Sequence, residues 1–401
     1  MSSYVWKDGE TLTDEKMNAL EGRIYNPQYL DRPSNGIVNF KVKVDTYMAD
    51  NDSNTLQLQD LSYSERNSYI KEDIGILRLP TNYSKNGKPI RMIIACHDAG
   101  VFITSKATTV VAHGSFDNLM LGEGYAIMDV NGTPGAQDVS GNKDRHFGTP
   151  ITLRSYIAAY LYCINNYNIY PEVLLFGYSM GGLASLMMSE IGNIPVLTQG
   201  VFAPTIDLFK GVLAYSWGLH DAAYKKQAVT EKMNLKKGTK PSSWTNPGTD
   251  GAPMPANERE FFIANKDSLI GWNNMWRNVV GLDVDAYMLL EEPEKRGDLT
   301  GEAVEQEAAL FENAYKIRET PLKIWHAIDD ASAPYRYSKY LVDMCRKAGC
   351  LVEMRTVPAG GHGFLNSMSS VSYVTKYGGS ISTRIPFIEL LNWFKRFDLN
   401  N

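Results

Sequence analysis

Along this chain, short apolar runs take turns with stretches of helical spacing. Val38, Phe40, Val42 and Val44 recur at every second position, which predicts a half-buried strand over Ile37–Asp45. Compact runs at Ile74–Leu79, Ile90–Ala95, Tyr125–Val130, Val173–Phe176 and Val196–Ala203 predict further strands. Unbroken runs such as Val173–Phe176 are expected where both faces of a parallel sheet are covered. Leu153, Ile157, Tyr160, Leu161 and Ile164 mark a helix over Ile151–Tyr167, and Leu183, Leu186, Met187 and Ile191 mark another just past the Val173–Phe176 run. After a long gap the pattern resumes at Pro321, with strands over Leu322–Ile328 and, as the last, Leu351–Val357, and helices over Arg336–Ala348 and Ile385–Phe397. Such alternation predicts an α/β fold, a mainly parallel central sheet with helices on both faces.

Two stretches stand outside the pattern. From about Thr205 to Glu319 no comparable strand occurs. Val304, Ala308, Phe311 and Tyr315 share one face of a helix over Glu302–Arg318, a polar segment spans Lys236–Pro255, and aromatic residues such as Trp217, Trp244, Phe261, Phe262, Trp272 and Trp276 are frequent. A structureless loop of that length is implausible in a compact domain, so a helical cap insertion is expected there. At the start, Thr13 is placed to cap a short helix, with Leu12 and Met17 at staple positions and Met17, Leu20 and Ile24 in one apolar stripe. A helix this short is marginal alone, and its stripe must dock on something. The expected division is therefore an attachment or oligomerisation arm (1–30), the first part of the core (31–204), the cap (205–319) and the second part of the core (320–401).

Composition narrows the function classes. The 401 residues are 44% hydrophobic and 21% charged, with a formal net charge of −5, which suits one large α/β domain with an insertion. No Lys/Arg-rich run points to nucleic acid. The four cysteines lack C-x-x-C spacing, with Cys96 and Cys163 expected as buried thiols, and the six histidines are scattered without a metal-binding pattern, so no metal or cofactor is expected. No apolar run has membrane-spanning length, and Met1-Ser2-Ser3-Tyr4 lacks the features of a signal peptide; synthesis in the cytoplasm is the expectation.

The chemistry centres on Gly177-Tyr178-Ser179-Met180-Gly181-Gly182, a G-x-S-x-G turn between the Val173–Phe176 strand and the helix that follows. Glycines permit a turn sharp enough to hold the serine at its tip, and the amide of Met180 at the helix start can stabilise negative charge. A serine hydroxyl needs a base, and the base needs an orienting carboxylate. His362, in Gly360-Gly361-His362-Gly363-Phe364, lies just past a strand and is the expected base. Asp330, in His326-Ala327-Ile328-Asp329-Asp330 with Pro334 beyond, is the expected acid; its neighbour Asp329 and the more distant Asp207 are the rivals.

These three motifs, in the order serine, acid, histidine, resemble the α/β-hydrolase family, particularly esterases and the catalytic domains related to prolyl oligopeptidases. The resemblance covers roughly residues 36–205 and 320–401. It implies the α/β-hydrolase fold and a catalytic triad of Ser179, Asp330 and His362. In the family the turn after the third strand supplies a second oxyanion amide, usually from H-G-x-G. Here His97-Asp98-Ala99-Gly100 has Asp98 where the first glycine is expected, leaving Ala99 as first choice for that amide and Gly100 as second. His97 is expected chiefly to hold that loop. On the substrate side the candidates are His97, Tyr178, His146, Trp272 and Trp276, although His146 and His113 are read first as loop or surface histidines and the two tryptophans first as lid core.

A second resemblance lies in the arm. Trp6-Lys7-Asp8-Gly9-Glu10 followed by Leu12-Thr13 and Lys16-Met17-Asn18 with Leu20-Glu21 is similar to the opening of tail and receptor-binding proteins of phages that infect Gram-positive bacteria. It implies attachment to phage tail proteins, often as a trimer, and a virion location. The leading expectation is a serine esterase acting on an acylated small molecule or glycan, with an acylated bacterial envelope polymer as substrate if the arm's resemblance holds. A peptidase of the prolyl-oligopeptidase branch and a non-catalytic tail or adhesion subunit are the alternatives.

Overall fold

The computed structural model describes residues 29–46, 67, 69–99, 101–107, 114–135, 148, 150–191, 194–206, 320–330, 333 and 335–398. In chain order their elements are β1 (Ile37–Asp45), β2 (Ile70–Arg78), β3 (Ile90–Cys96), α1 (Gly114–Gly122), β4 (Ala126–Val130), α2 (Pro150–Asn166), β5 (Ile169–Tyr178), α3 (Met180–Ile191) and β6 (Val196–Phe202). After residue 320 come β7 (Leu322–Ala327), α4 (Tyr335–Lys347), β8 (Val352–Val357), the short α5 (Phe364–Ser367), β9 (Ser370–Thr375), β10 (Gly379–Arg384) and α6 (Ile385–Phe397).

Eight strands form one sheet in the order β1-β2-β4-β3-β5-β6-β7-β8. β1 pairs with β2, and β2 with β4, antiparallel; from β4 to β8 every pairing is parallel. This order, with the early β3–β4 exchange and helical crossovers, is the α/β-hydrolase fold. The two sides of the sheet follow from the pleat. Met92, Ile94 and Cys96 of β3 and Val173 and Leu175 of β5 meet Tyr156 and Cys163 of α2, Leu183 and Leu186 of α3 and Leu341 of α4. Their alternates Ile93, Ala95, Leu174 and Phe176 meet Phe116 and Leu119 of α1 and Phe387, Leu390 and Phe394 of α6. With both faces covered, β3 and β4 are buried from end to end. All four cysteines are buried free thiols.

Three expectations need correction. Leu351–Val357 is not the last strand: Ser370–Thr375 and Gly379–Arg384 pair as an antiparallel hairpin beyond it. The hairpin packs on α1, an element the sequence reading did not foresee, through bonds from Tyr377 N to Gly122 O at 2.6 Å and from Lys376 N to the Glu123 carboxylate at 3.1 Å. The second strand begins at Ile70 rather than Ile74, because Lys71, Glu72 and Asp73 pair along β1 although they carry no apolar signal. Tyr29 and Leu30, assigned to the arm, sit against the core. Tyr29 is 8% exposed, and Leu30 N donates to Asn166 O at 2.8 Å while the Tyr83 hydroxyl donates to Leu30 O at 2.9 Å. The rest of the arm, and the cap from residue 207 to 319, lie outside the described residues.

Candidate active site

The sheet gathers three side chains at its carboxyl edge. Ser179 follows β5, Asp330 follows β7 and the loop carrying His362 follows β8, and in open α/β sheets this edge is where ligands bind. Ser179 has φ of 55°, a left-handed conformation that costs a non-glycine residue about 1–3 kcal/mol. The surroundings over-determine it. Ser179 N donates to Phe202 O at 2.9 Å, and Ser179 O accepts from Gly182 N and Thr205 N, each at 3.0 Å. The turn is crowded enough to demand glycine: a Cβ on Gly177 would overlap the Gly181 carbonyl, and one on Gly181 would overlap the Cys96 and His97 carbonyls. That second contact shows the loop after β3 lying directly against the first turn of α3.

A continuous line of hydrogen bonds joins the three groups. The Ser179 hydroxyl lies 2.8 Å from His362 Nε2, and His362 Nδ1 lies 2.8 Å from Asp330 Oδ2. With Nδ1–H donating to the carboxylate, Nε2 is the acceptor that faces the serine. Asp330 is itself held fast: Oδ1 accepts from Ala333 N at 2.9 Å, and Oδ2 also accepts from His326 Nε2 at 3.1 Å. His326 Nε2 lies 2.7 Å from Ala333 O, so this nitrogen carries the proton, and Nδ1 accepts from the Ser338 hydroxyl at 2.7 Å.

Charge follows this wiring. Burial pushes the Asp330 carboxyl up, but the charge of His362 and the hydrogen bonds from His326 and His362 outweigh it and hold the group well below the usual carboxylate range. Burial pulls the His362 imidazole down, but the charge and hydrogen bond of Asp330, with a further push from Asp98, raise it above the ordinary histidine value. The serine is 9% exposed and the His362 side chain 25%, so the pair is reachable while the acid beneath it is sealed.

Of the other expected residues, Met180 opens α3 immediately after the serine, and Ala99 sits in a turn closed by Val101 N on Asp98 O at 3.2 Å. Both are thus on segments in contact at the elbow. His97 is 1% exposed, and its Nδ1 lies 3.0 Å from Asp129 Oδ2. Asp129 Oδ1 accepts from the Tyr156 hydroxyl at 2.8 Å. His97 is therefore part of a buried polar network under the loop rather than a wall of the substrate site. Tyr178 is likewise turned inward: it is 7% exposed, its hydroxyl donates to the His362 carbonyl, and its ring stacks on the imidazole with centroids 5.6 Å apart at 15°. Gly100, His146, Trp272, Trp276, His113 and Asp207 lie outside the described residues. The rival acid Asp329 bonds to main-chain amides, Gly361 N at 2.8 Å and Gly360 N at 3.1 Å, and not to the imidazole. Sequence reasoning missed Asp129 and gave His326 no role. Asp129, one carboxylate at the end of an otherwise apolar strand, was the available signal.

No family model matches the chain, and no curated protein matches it in sequence. Among solved structures it is similar to an acylaminoacyl peptidase from Pyrococcus horikoshii, with a TM-score of 0.47 and 13% identity over 98% of this chain and 45% of that one. It is also similar to lipase A from Candida antarctica in its closed state, with a TM-score of 0.42 and 15% identity over 86% of this chain and 84% of that one. The chain spans less than half the length of the peptidase. The strand order and the parallel pairing from β4 to β8 define the fold. No helix among the described residues is long and apolar enough to cross a membrane.

Proposed function

We propose that the protein is a serine hydrolase that cleaves carboxylic esters through an acyl-enzyme on Ser179. The observation that supports this reading is the unbroken line from the Ser179 hydroxyl through His362 to a sealed Asp330, with both links at 2.8 Å. Ser179 Oγ attacks the acyl carbon as His362 Nε2 takes its proton. The Met180 and Ala99 amides, on segments that meet at the elbow, are the donors for the oxyanion. His362 then passes the proton to the leaving alcohol. In the second half-reaction it activates water against the acyl-serine, and the acid departs. Asp330 keeps the imidazole in the Nδ1–H tautomer throughout and stabilises the imidazolium as it forms. The acylated substrate is proposed to be a glycan or other polymer of a bacterial envelope, a reading carried by the N-terminal sequence resemblance alone.

The test is direct. The wild-type protein is expected to label with a fluorophosphonate probe and to turn over short p-nitrophenyl esters. Ser179→Ala is expected to abolish labelling and to lower kcat by about 10⁴-fold or more, with unchanged circular dichroism. A wild-type protein that takes up no probe would overturn the enzyme reading. Faster cleavage of peptide amides than of esters would move it to the peptidase class. Acyl release from isolated envelope polysaccharide supports the polymer, and its absence removes it.

A further inference from the structure

The loop that carries His362 is gripped at points the proton relay does not use. Gly360 and Gly361 have φ of 122° and 58°, a backbone that only glycine adopts without strain. Their two successive amides donate to the two oxygens of one carboxylate, Gly361 N to Asp329 Oδ1 at 2.8 Å and Gly360 N to Asp329 Oδ2 at 3.1 Å. The next residue is held by its other main-chain group. The His362 carbonyl accepts from the Tyr178 hydroxyl, and the Tyr178 ring lies parallel to the imidazole. Burial drives the Tyr178 phenol up, with the Asp330 and Asp98 charges adding to it, so it remains a donor throughout the neutral range. Tyr178 precedes the nucleophile and Asp329 precedes the acid. Each partner of the histidine thus has a sequence neighbour that fastens the histidine's backbone.

We infer that Tyr178 and Asp329 are positioning residues for His362, clamping its main chain from two sides so that one imidazole reaches Ser179 and Asp330 together. The inference rests on the serine-hydrolase reading for its kinetic consequences. A loop with two adjacent glycines has many alternative conformations, and the ring must satisfy two hydrogen bonds of 2.8 Å at once. Displacements of about 1 Å can cost on the order of 10² in rate. Adjacency alone thereby converts the rigidity of β5 and β7 into the aim of a side chain borne on a loop.

Tyr178→Phe, which keeps the ring, and Asp329→Asn test the clamp at temperatures where melting curves show each variant folded. Each is expected to lower kcat on a short ester about tenfold with KM within about twofold. Loosening the Asp330 contact lets the His362 pKa fall back towards its ordinary value, so the acid limb of kcat/KM should move to lower pH. The downfield proton resonance of the imidazole N–H, identified by its loss in His362→Gln, should broaden or vanish in both variants. Unchanged kcat, or a lower kcat with both the acid limb and the resonance as in wild type, overturns the inference. A wild-type protein without esterase activity or probe labelling defeats the enzyme reading, and the resonance then decides the positioning by itself: its persistence in both variants refutes the clamp, and its loss supports it.

Discussion

At the scale of single residues, two neighbouring aspartates divide the work on one loop. Asp330 is sealed at 0% side-chain exposure and takes the imidazole, whereas Asp329 faces solvent and takes amides. Asp330→Asn keeps the volume but presents the wrong tautomer preference to Nδ1. A loss of about 10⁴ in kcat is expected, against about tenfold for Asp329→Asn, measured under identical conditions. The reverse ranking would transfer the acid role to Asp329. The pH dependence has a definite sign. The proposed catalysis needs neutral His362, and Asp330 holds its pKa above the ordinary value near 6.5, so the acid limb of kcat/KM is expected above pH 6.5. A limb below 6.5 in the wild type would show that burial outweighs the carboxylate. The same residues show what sequence can reveal. Ser179, Asp330 and His362 stand in short patterns of glycine, proline and spacing, and were legible. The bond between Tyr178 and His362 spans 184 positions and belongs to no local pattern.

At the scale of elements, the strand–turn–helix unit from β5 to α3 depends on close approach of main chain to main chain. Gly181 has the Cys96 and His97 carbonyls against it, and neither is the end of a flexible side chain. Gly181→Ala must therefore move the loop after β3 or the start of α3. A destabilisation of about 1–3 kcal/mol or more is expected by urea unfolding, with a further loss of about 10²–10³ in kcat as the proposed oxyanion donors part. A variant with wild-type kcat would separate that loop from the chemistry. Element boundaries were legible where burial is one-sided or complete. β1 was read at Ile37–Asp45 and found there, and α6 likewise at Ile385–Phe397. The β9–β10 hairpin was missed because four serines dilute its alternation and its support is α1, more than 250 positions earlier. α1 itself spans 9 residues and is flanked by glycine, too short to announce itself without the packing of Phe116 and Leu119.

At the scale of the molecule, the amino ends of the strands carry a fastening distant from the carboxyl edge. Arg91 of β3 is 4% exposed and reaches Glu172 Oε2 at 2.8 Å and Asp398 Oδ1 at 3.3 Å, while stacking over Tyr170 at 4.4 Å. It ties the start of the central strands to the residue just past α6. Arg91→Ala takes the guanidinium from the buried Asp398 carboxylate, and a loss of about 3–5 kcal/mol in urea unfolding is expected with kcat intact below the transition. Adding Asp398→Asn should recover part of it, as coupled neighbours do. Full additivity would mean that the two groups do not interact. The join between β6 and β7 carries a different arrangement. β6 and β7 are direct parallel neighbours, with Phe202 beside Trp325, although the chain travels from residue 203 to 321 between them. Both departure and return are pinned by main chain, Thr205 N on Ser179 O and Gln199 N on Pro321 O. The register between the two strands is set by four paired positions, Gln199 to Phe202 against Leu322 to Trp325, and a parallel crossover needs only about a dozen residues. Because one of those pins is the carbonyl of Ser179 itself, any shift of the chain as it leaves β6 reaches the tip of the elbow through a single hydrogen bond.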